Sequence, residues 1–456
     1  MSRSFKPYVP EQTLLLPPSL RDWLPEDHLA LFLSDVVDTL DLSAIVASYE
    51  QGDGRGQPPY DPGMMVKLLV YGYCTGRPSS RRIERATYDD VAFRVLAGNQ
   101  HPDHDSVASF RKRHLDALSG LFGQVLRLCR AAGMVKLGHI AIDGTKIKAN
   151  ASKHKAMSYA RMADEQAALE KQITELLAEA QRIDDAEDGE HGRGKRGDEL
   201  PEELRRREAR LARIQQAKQA LETEAKARAE LERVEIERRR AEREQRPPKQ
   251  RGREIKDPKE EPAAKAQRNF TDPESRIMLD GATKGFVQGY NVQAAVDEAH
   301  QIIVATYVTQ AAQDMEQLVP MLAAIEQNVG ELPKTVSADA GYFSQSAVGD
   351  ARAQRVDLHV PPRRMRRDAK VAATNNREND AAARMRAKLD RPEGRAIYAR
   401  RKTIVEPVFG QVKEARRFRR FSLRGHRNVQ REWLLVAATH NLMKLFVARR
   451  SRAAAA

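Results

Sequence analysis

Two aspartates stand in sequence contexts that could build a metal site. Asp143 ends the stretch 139–143, where isoleucines alternate with other residues as in a strand with one buried face, and Gly144 follows it. Asp339 repeats this design at the end of the stretch 335–339. Burying an ionised carboxylate costs on the order of several kcal/mol unless it is paired or binds a metal. Both aspartates are therefore candidates for a functional role.

A third acid, Glu406, lies in an apolar and helix-like stretch between residues 403 and 413, and Pro407, which is tolerated in a first turn, predicts that the helix begins close to Glu406. Two aspartates and a glutamate supply the hard oxygen ligands that Mg²⁺ prefers. Two such ions, roughly 3.5 to 4 Å apart, can activate the attacking oxygen of a phosphodiester reaction and stabilise the leaving oxygen. The sequence thus predicts a magnesium site, with Mn²⁺ as an alternative ion, in which Asp143, Asp339 and Glu406 are both metal ligands and catalytic groups. For the competing acids Asp280 and Asp297 we expect turn or hairpin roles.

Composition narrows the class of partner. The chain has 456 residues with 78 Lys and Arg against 64 Asp and Glu, a formal charge of +14, which favours a polyanion such as nucleic acid. No run of about 18 apolar residues and no signal-peptide order is present, so we expect a cytoplasmic, nucleoid-associated protein with no membrane contact. Cys74 and Cys129 are far apart and are predicted to be core thiols.

The elements that precede Asp143 are predicted to be helices. Apolar residues recur at helical spacing from Leu29 to Leu40, and short helices are expected over residues 64–73, 79–87, 89–97 and 106–118. Basic residues on these helices would suit phosphate contacts, although a solvated helical face explains them equally well. These residues are Arg77, Arg81, Arg82, Arg85, Arg94, Arg111, Lys112 and Arg113.

Residues 156 to about 250 have a different composition, rich in Ala, Glu, Lys, Arg and Gln and poor in β-branched residues. This composition predicts long helices, and the Gly- and Asp-rich stretch 184–194 looks like the tip of an antiparallel hairpin. The heptad spacing is weak, so the segment is at best a poor coiled coil. Residues 246–262 read as a charged linker.

After the linker the pattern changes to strands. Stretches 291–296 and 301–309 read as a β-hairpin, a helix is expected over 314–327, and a further short strand over 358–360. The order of elements predicts an α/β sheet with acids at strand ends and a helical insertion after the first of them.

Three blocks make the chain resemble bacterial insertion-sequence DDE transposases. Ile142-Asp-Gly-Thr-Lys-Ile-Lys-Ala-Asn, Ala338-Asp-Ala-Gly-Tyr and Val405-Glu-Pro-Val-Phe-Gly-Gln-Val-Lys are similar to the three catalytic blocks of that family, and residues 14–113 resemble its helical N-terminal domain. The third block of the family reads Tyr-x2-Arg-x3-Glu-x6-Lys. Here Glu406 and Lys413 fit, Lys402 fills the Arg position, and Ala399 fills the Tyr position.

The resemblance implies an α/β ribonuclease-H-like catalytic core with a long helical insertion, preceded by an all-helical N-terminal domain. The expected boundaries are 1–130 for the N-terminal DNA-binding and assembly domain, 131–155 and 263–450 for the core, and 156–262 for the insertion and linker. It also implies that the protein binds double-stranded DNA, as transposon ends and as target, and works as a homo-oligomer in a synaptic complex. The expected reactions are strand cleavage and 3′-OH strand transfer.

A basic stretch near the third acid is a candidate DNA track. Between Arg400 and Arg431 there are 11 Lys or Arg but only Glu406 and Glu414 as acids, whereas a solvated helix usually mixes both signs. The candidate DNA-binding residues are Lys402, Lys413, Arg416, Arg417, Arg419, Arg420 and Arg424. Two alternatives to an active transposase stay open, namely an inactive or domesticated DNA-binding relative and a stand-alone metal-dependent nuclease.

Overall fold

The N-terminal part of the chain is helical in the computed structural model, which describes residues 19–50, 58–191, 202–245, 254–281, 284–362 and 380–455. Asp61 caps the third helix by accepting a hydrogen bond from the backbone N–H of Met64, with Pro62 in the first turn, where a missing N–H is harmless. The helices are α1 (Leu29–Thr39), α2 (Ser43–Glu50), α3 (Pro62–Cys74), α4 (Ser80–Asp89), α5 (Val91–Leu96), α6 (His104–Arg113) and α7 (Leu115–Ala131). Within the described residues, helices lie where the sequence predicted them, except that the one expected over 106–118 ends at Arg113 and a new helix, α7, begins at Leu115.

The insertion consists of two long helices beside a small two-stranded sheet. These elements are β2 (Ala156–Ser158), α8 (Tyr159–His191), α9 (Glu202–Glu244) and β3 (Gln267–Asn269). Met162, Leu169, Ile214 and Leu221 pack between the helices as a small apolar cluster of their own. Apolar contacts between α8 and α9 therefore hold the predicted hairpin together. Part of the predicted tip (192–194) and of the linker (246–253) lies outside the described residues.

A mixed six-stranded sheet forms the centre of the rest of the chain. Its strands are β1 (His139–Lys148), β4 (Arg276–Leu279), β5 (Phe286–Asp297), β6 (Ile303–Thr309), β7 (Thr335–Ala338) and β8 (Asp357–His359). The order is β4-β5-β1-β7-β8, and β6 also pairs with β5. Strands β5 and β6 are antiparallel, as the predicted hairpin requires, and β7 and β8 run parallel to β1.

Strand β1 is longer than expected. The sequence predicted that it ends at Asp143, but it continues for five more residues to Lys148. Pairing explains the difference, because antiparallel β5 accompanies β1 from Ile140 to Lys148, whereas parallel β7 accompanies it only to Ile142. Asp143 therefore lies within a strand, at the point where one of its two neighbours ends.

The C-terminal part returns to helices. These are α10 (Leu318–Val329), α11 (Gln345–Gly349), α12 (Ala351–Gln354), α13 (Asp380–Asp390), α14 (Pro392–Gly410) and α15 (His426–Ala455), with a π-helical turn at Gln411–Ala415. The expectation that a helix begins near Glu406 is wrong, since α14 begins at Pro392 and Pro407 lies inside it. The π turn follows Pro407 closely, and such wide turns accompany irregular helix hydrogen bonding.

Helix α15 joins the N-terminal helices to the sheet. It packs on α3 and α7 on one side and on β6 on the other, so that one continuous apolar core runs through both parts. Cys74 and Cys129 are free and buried in this core, as predicted. Among the described residues, no helix is long and apolar enough to cross a membrane.

Turn acids hold the ends of the sheet. The carboxylate of Asp297 accepts hydrogen bonds from the backbone N–H groups of Lys136, Leu137 and Ala299. The backbone of Asp280 closes the turn between β4 and β5 by pairing with Lys284 and Gly285. The predicted turn and hairpin roles of these two acids are confirmed.

His440, on the buried side of α15, should make stability depend on pH. Its Nε2 lies 2.9 Å from the carbonyl oxygen of Gln301. Burial and the nearby Arg416 charge lower its pKa from 6.5 to about 3. A depressed histidine pKa stabilises the fold above pH about 6.5, and this contribution is lost as the pH falls towards 3, because the unfolded chain then binds the extra proton.

We expect His440→Gln to remove this pH dependence. For one proton, the free energy of unfolding should decrease by about 2 kcal/mol between pH 7.5 and pH 5. In urea unfolding experiments, the difference in this free energy between the two pH values should therefore be smaller in the variant by about that amount. His300→Gln is the control, since His300 is exposed. An unchanged pH dependence in the His440 variant would show that other groups carry it.

Candidate active site

Strand register brings the two candidate aspartates to neighbouring positions. In the parallel pairing of β1 with β7, Ile142 lies opposite Ala338. The next residues, Asp143 within β1 and Asp339 just after β7, therefore lie at the same level, and neighbouring strands are about 4.8 Å apart. The charge of Asp339 also acts on Asp143, whose pKa is raised to about 6 mainly by burial.

Arg401 on α14 links Asp143 to the third acid. Its Nη1 donates a hydrogen bond of 2.8 Å to Oδ2 of Asp143, and its Nη2 lies 4.0 Å from Oε1 of Glu406. The Arg401 side chain is only 8% exposed, whereas Glu406 is 54% exposed. The guanidinium opposes the rise in the pKa of Asp143, since its positive charge stabilises the carboxylate.

A cleft of about 890 Å³ opens beside these residues. It is lined in part by Asp314, Asp339, Tyr398, Arg401, Lys402 and Glu406. Tyr398 lies under the Arg401 guanidinium, with 5.9 Å from ring centroid to charge centre. Two of the three candidate acids thus border one cleft, and Arg401 connects Asp143 to its wall.

The donor chemistry of the cleft fits a hard divalent cation. Carboxylate oxygens from Asp143, Asp339 and Glu406 are the ligand type that Mg²⁺ takes. Within the part of the chain that the structure describes, no group of three or more His, Cys, Asp or Glu side chains is arranged so that it could hold a metal ion by itself. Mg²⁺ is usually held by one or two carboxylates together with waters and substrate phosphates, so a site of this kind does not require three protein ligands.

Asp314 is a further carboxylate at this cleft that sequence reasoning missed. Its Oδ1 accepts hydrogen bonds of 2.7 Å from the side-chain amides of Asn291 and Gln293. It also lies 3.8 Å from Nζ of Lys146, which points from β1 to the same place. The sequence predicted that a helix begins at Asp314, but α10 begins only at Leu318, so Asp314 lies in the loop before it. Only the paired amides on β5 could have indicated a polar partner.

Gly144 makes room for this network. A Cβ at Gly144 would lie 2.6 Å from Nε2 of Gln293 and 2.9 Å from Oδ1 of Asp314. Such distances are too short, so an alanine side chain would displace the polar groups packed beside Asp143. The glycine after the first acid therefore has a packing role in the site.

We expect Gly144→Ala to lower the free energy of unfolding by about 1–3 kcal/mol, the usual cost of overpacking. DNA cleavage should also decrease, because the neighbouring Asp143 would be displaced. Gly138→Ala is the matched control, since a Cβ at Gly138 meets nothing within 4 Å. Equal unfolding midpoints for the two variants in urea would rule out this packing role.

Lys413 reaches the same region from the π turn. Its Nζ donates to Oγ1 of Thr145, two residues beyond Asp143. Burial lowers the pKa of Lys413. Lys413 therefore lies close to the first acid, with β1 and the π turn as its two supports.

Lys402 is predicted to fill the Arg position of the third block, but the buried cation beside the first acid is Arg401. Lys402 is exposed and lines the cleft, while the preceding Arg401 is buried and contacts Asp143. The signal was in the sequence, since Tyr398 and Arg401 keep the Tyr-x2-Arg spacing and only one extra residue separates them from Glu406. One added residue turns a helix by about 100°, so the register of the motif decides which side chain faces the core.

The basic stretch does not form one continuous track. Arg416 is wrong as a DNA contact, because it is only 7% exposed and donates to Oγ1 of Thr439 inside the core. Arg419 pairs with Glu414. Arg417 faces a cleft with Arg77, Arg82 and Arg85 of the N-terminal helices, whereas Arg420 and Arg424 line a different cleft beyond β1.

Comparisons with known families agree with this arrangement. A family model described as a transposase DDE domain matches residues 279–442, and one described as a transposase domain (DUF772) matches residues 18–113. The two matches together cover more than half of the chain. Neither the curated proteins nor the solved structures gave a match.

The two matched regions include the helical N-terminal part and two of the three candidate acids, Asp339 and Glu406. Asp143 lies before the match to the DDE domain, on the strand that pairs with β5 and β7. The chain therefore belongs to the DDE transposases of insertion sequences, enzymes that act on DNA and depend on a divalent metal ion.

Proposed function

We propose that Asp143, Asp339 and Glu406 carry out Mg²⁺-dependent cleavage of a DNA strand at the transposon end and then joining of the freed 3′-OH to target DNA. The observation that carries this proposal is the register of β1 and β7, which sets the two aspartates side by side where β7 ends. Arg401 extends the arrangement to Glu406. Mn²⁺ would serve as an alternative ion, because it accepts the same oxygen ligands.

The residues of the chain would divide the work as follows. Asp143 and Asp339 would hold the cation from the sheet and Glu406 from α14, and the bound cation would lower the barrier by polarising the phosphodiester and its nucleophile. Arg401 keeps the buried Asp143 ionised and oriented. Lys413 and Lys402 carry positive charge close to where a DNA phosphate would lie, which favours the developing negative charge of the reaction.

Water and a 3′-OH can use such a site in turn. Each step is a displacement at phosphorus that depends on positioning and charge neutralisation, so no covalent enzyme intermediate is needed. In the first step water would attack and the transposon 3′-OH would leave. In the second step that 3′-OH would attack a target phosphodiester, and the 3′ oxygen of the target would leave.

We also propose the organisation that this function requires. The sheet with β8-β7-β1-β5-β6 and the helices around it would be a ribonuclease-H-like core made of residues 131–155 and 263–450. Residues 1–130 would bind DNA and support assembly, and the insertion 156–262 would contact DNA or a second protomer, because two transposon ends must be held together. The active form would be a homo-oligomer in the cytoplasm, at the nucleoid.

A strand-transfer assay tests the proposed function. The DNA flanking the gene would be searched for inverted repeats, and a duplex ending in such a repeat would be incubated with the protein, Mg²⁺ and a supercoiled target. A transposase should cleave at the repeat and join its 3′-OH to the target. Cleavage without joining would indicate a nuclease, and binding without either reaction would indicate an inactive relative.

A further inference from the structure

A second cleft, of about 620 Å³, opens beyond the carboxyl end of β1. We call it the β1 groove. Its walls come from Lys148, residues 150–155, Thr271, the start of β5, and Arg420 and Arg424. The cationic side chains on these walls are Lys148, Lys153, Lys155, Arg420 and Arg424.

The charge of the β1 groove is of one sign. Among the residues that the structure describes, no aspartate or glutamate lines it, whereas the cleft at Arg417 mixes arginines with Asp89 and Asp90. Within the described ranges, Lys148, Lys153 and Arg420 form no salt bridge. Uncompensated cations on a concave wall concentrate positive potential, which attracts a polyanion. The groove is therefore suited to phosphate groups.

Backbone hydrogen bonds hold the groove walls in place. The N–H of Phe421 donates to the carbonyl of Lys148 over 2.9 Å, and the N–H of Lys148 donates to the carbonyl of Arg419 over 3.2 Å. Arg424 Nε donates to the carbonyl of Asn150 over 2.9 Å. The stretch after the π turn thus lies along the end of β1, and Arg420 is presented from an ordered edge.

An aromatic ring stands at the rim of this groove. Phe286 begins β5 and is 65% exposed, although the rest of that strand is largely buried. Its partner in the register, Leu279 of β4, is also exposed. A flat ring beside several cations is the combination found in proteins that bind single-stranded nucleic acids, because a base can stack on the ring while its phosphate pairs with a cation.

The floor of the groove offers an unused hydrogen-bond acceptor. Gln288 is 5% exposed and lines the groove, and its Nε2 donates to Oγ of Ser275 over 2.7 Å. Its Oε1 is buried and has no hydrogen-bond partner among the described residues. Buried polar atoms are paired in the great majority of cases, so this oxygen points to a donor that a ligand would bring. Base amino and imino groups are such donors.

We propose that the β1 groove binds an unpaired stretch of the DNA strand on which the active site acts. Phosphates would pair with Lys148, Arg420 and Arg424, and a base would stack on Phe286 with its edge towards Gln288. Lys148 is five residues beyond Asp143 on the same strand, about 17 Å away at about 3.4 Å per residue. An unpaired strand of a few nucleotides is long enough to span that distance.

Duplex DNA would not use the same features. In a duplex the faces of the bases are stacked on one another and their Watson–Crick donors are already paired. The Phe286 ring would therefore find no open base face, and the acceptor on Gln288 would meet only the groove edges of the bases. This inference rests on the proposed function, because the strand in the groove is taken to continue from the phosphate at Asp143.

DNA binding without catalysis tests the proposal. Fluorescence anisotropy in EDTA would compare a blunt duplex with the same duplex carrying a short single-stranded 3′ overhang. The wild-type protein should bind the overhang DNA about tenfold more tightly, and Phe286→Ala should remove this preference while leaving blunt-duplex affinity unchanged. Phe286→Trp should keep the preference. Leu279→Ala is the matched control, which loses exposed apolar surface but no ring.

Salt dependence supplies a second readout. Lys148→Ala with Arg420→Ala should lower the slope of log K against log salt for the overhang DNA by about 1.4, at about 0.7 per lost phosphate contact on a single strand. A wild-type protein without the overhang preference, or a Phe286→Ala variant that keeps it, would overturn the proposal. Since no metal is present, these outcomes are independent of whether Asp143→Asn loses cleavage, which is the test of the proposed function.

Discussion

Replacing Asp143 or Asp339 by asparagine, or Glu406 by glutamine, is expected to abolish DNA cleavage and joining. Each change removes a ligand charge with little change in shape. Even the outer partners of metal ligands are worth roughly 10–100-fold in activity, so the loss of a ligand should exceed about a hundredfold. The measurement is the rate at which a labelled end duplex is cleaved in Mg²⁺, with DNA affinity determined in parallel.

Affinity for end DNA should remain largely intact in these three variants, because phosphate contacts elsewhere supply most of it. Glu331→Gln is the control for loss of one acid, since Glu331 is an exposed partner of Arg130 at the surface. Near-wild-type cleavage in any of the three variants would remove that residue from the site.

Arg401→Ala is expected to cost both stability and activity. Arg401 is 8% exposed and its partner Asp143 is 20% exposed, so the substitution leaves a largely buried carboxylate without its cation. Breaking a buried pair in this way costs about 3 kcal/mol. Urea unfolding should report that loss, and cleavage should decrease as well, because Asp143 would lose the group that orients it.

Two further variants separate the contribution of the Arg401–Asp143 ion pair to stability from the contribution of side-chain packing. Arg400→Ala should cost less than about 1 kcal/mol, since Arg400 is 52% exposed and pairs with Glu298 at the surface. Adding Asp143→Asn to Arg401→Ala should recover part of the lost stability, because the unpaired buried charge is removed. If the double variant is no more stable than Arg401→Ala, the lost free energy comes from packing of the arginine side chain.

The periodicity of apolar residues predicted most of the helices and strands, but not which of them pack or pair with one another. The β5–β6 hairpin and the helices α1 and α3 follow directly from alternating and helical apolar patterns. The length of β1 does not, because the pattern after Asp143 becomes polar and only its pairing with β5 keeps that segment extended. Pro407 suggested a helix start, since a proline fits the first turn best, yet α14 carries it within its last turn.

The candidate acids Asp143 and Asp339 could be selected from the sequence because a carboxylate beside a buried strand is costly and needs a reason. Glu406 was selected because its stretch resembles the third block of the family. The cations were harder to assign, since Arg416 and Arg420 look alike in the sequence although one is buried in the core and the other faces a groove. Predicting the role of Arg401 would have required the register of α14. Predicting the role of Asp314 would have required the fold of the loop before α10. Such contacts depend on tertiary structure, which residue type and spacing do not encode locally.

The most direct test of the account is Mn²⁺ binding to the complex of protein and end DNA, followed by electron paramagnetic resonance. The account predicts that the wild-type complex binds Mn²⁺, that Asp143→Asn and Asp339→Asn each weaken binding strongly, and that Mg²⁺ competes for the same site. Unchanged Mn²⁺ affinity and stoichiometry in a protein carrying both substitutions would contradict the claim that these two strand residues hold the catalytic ion.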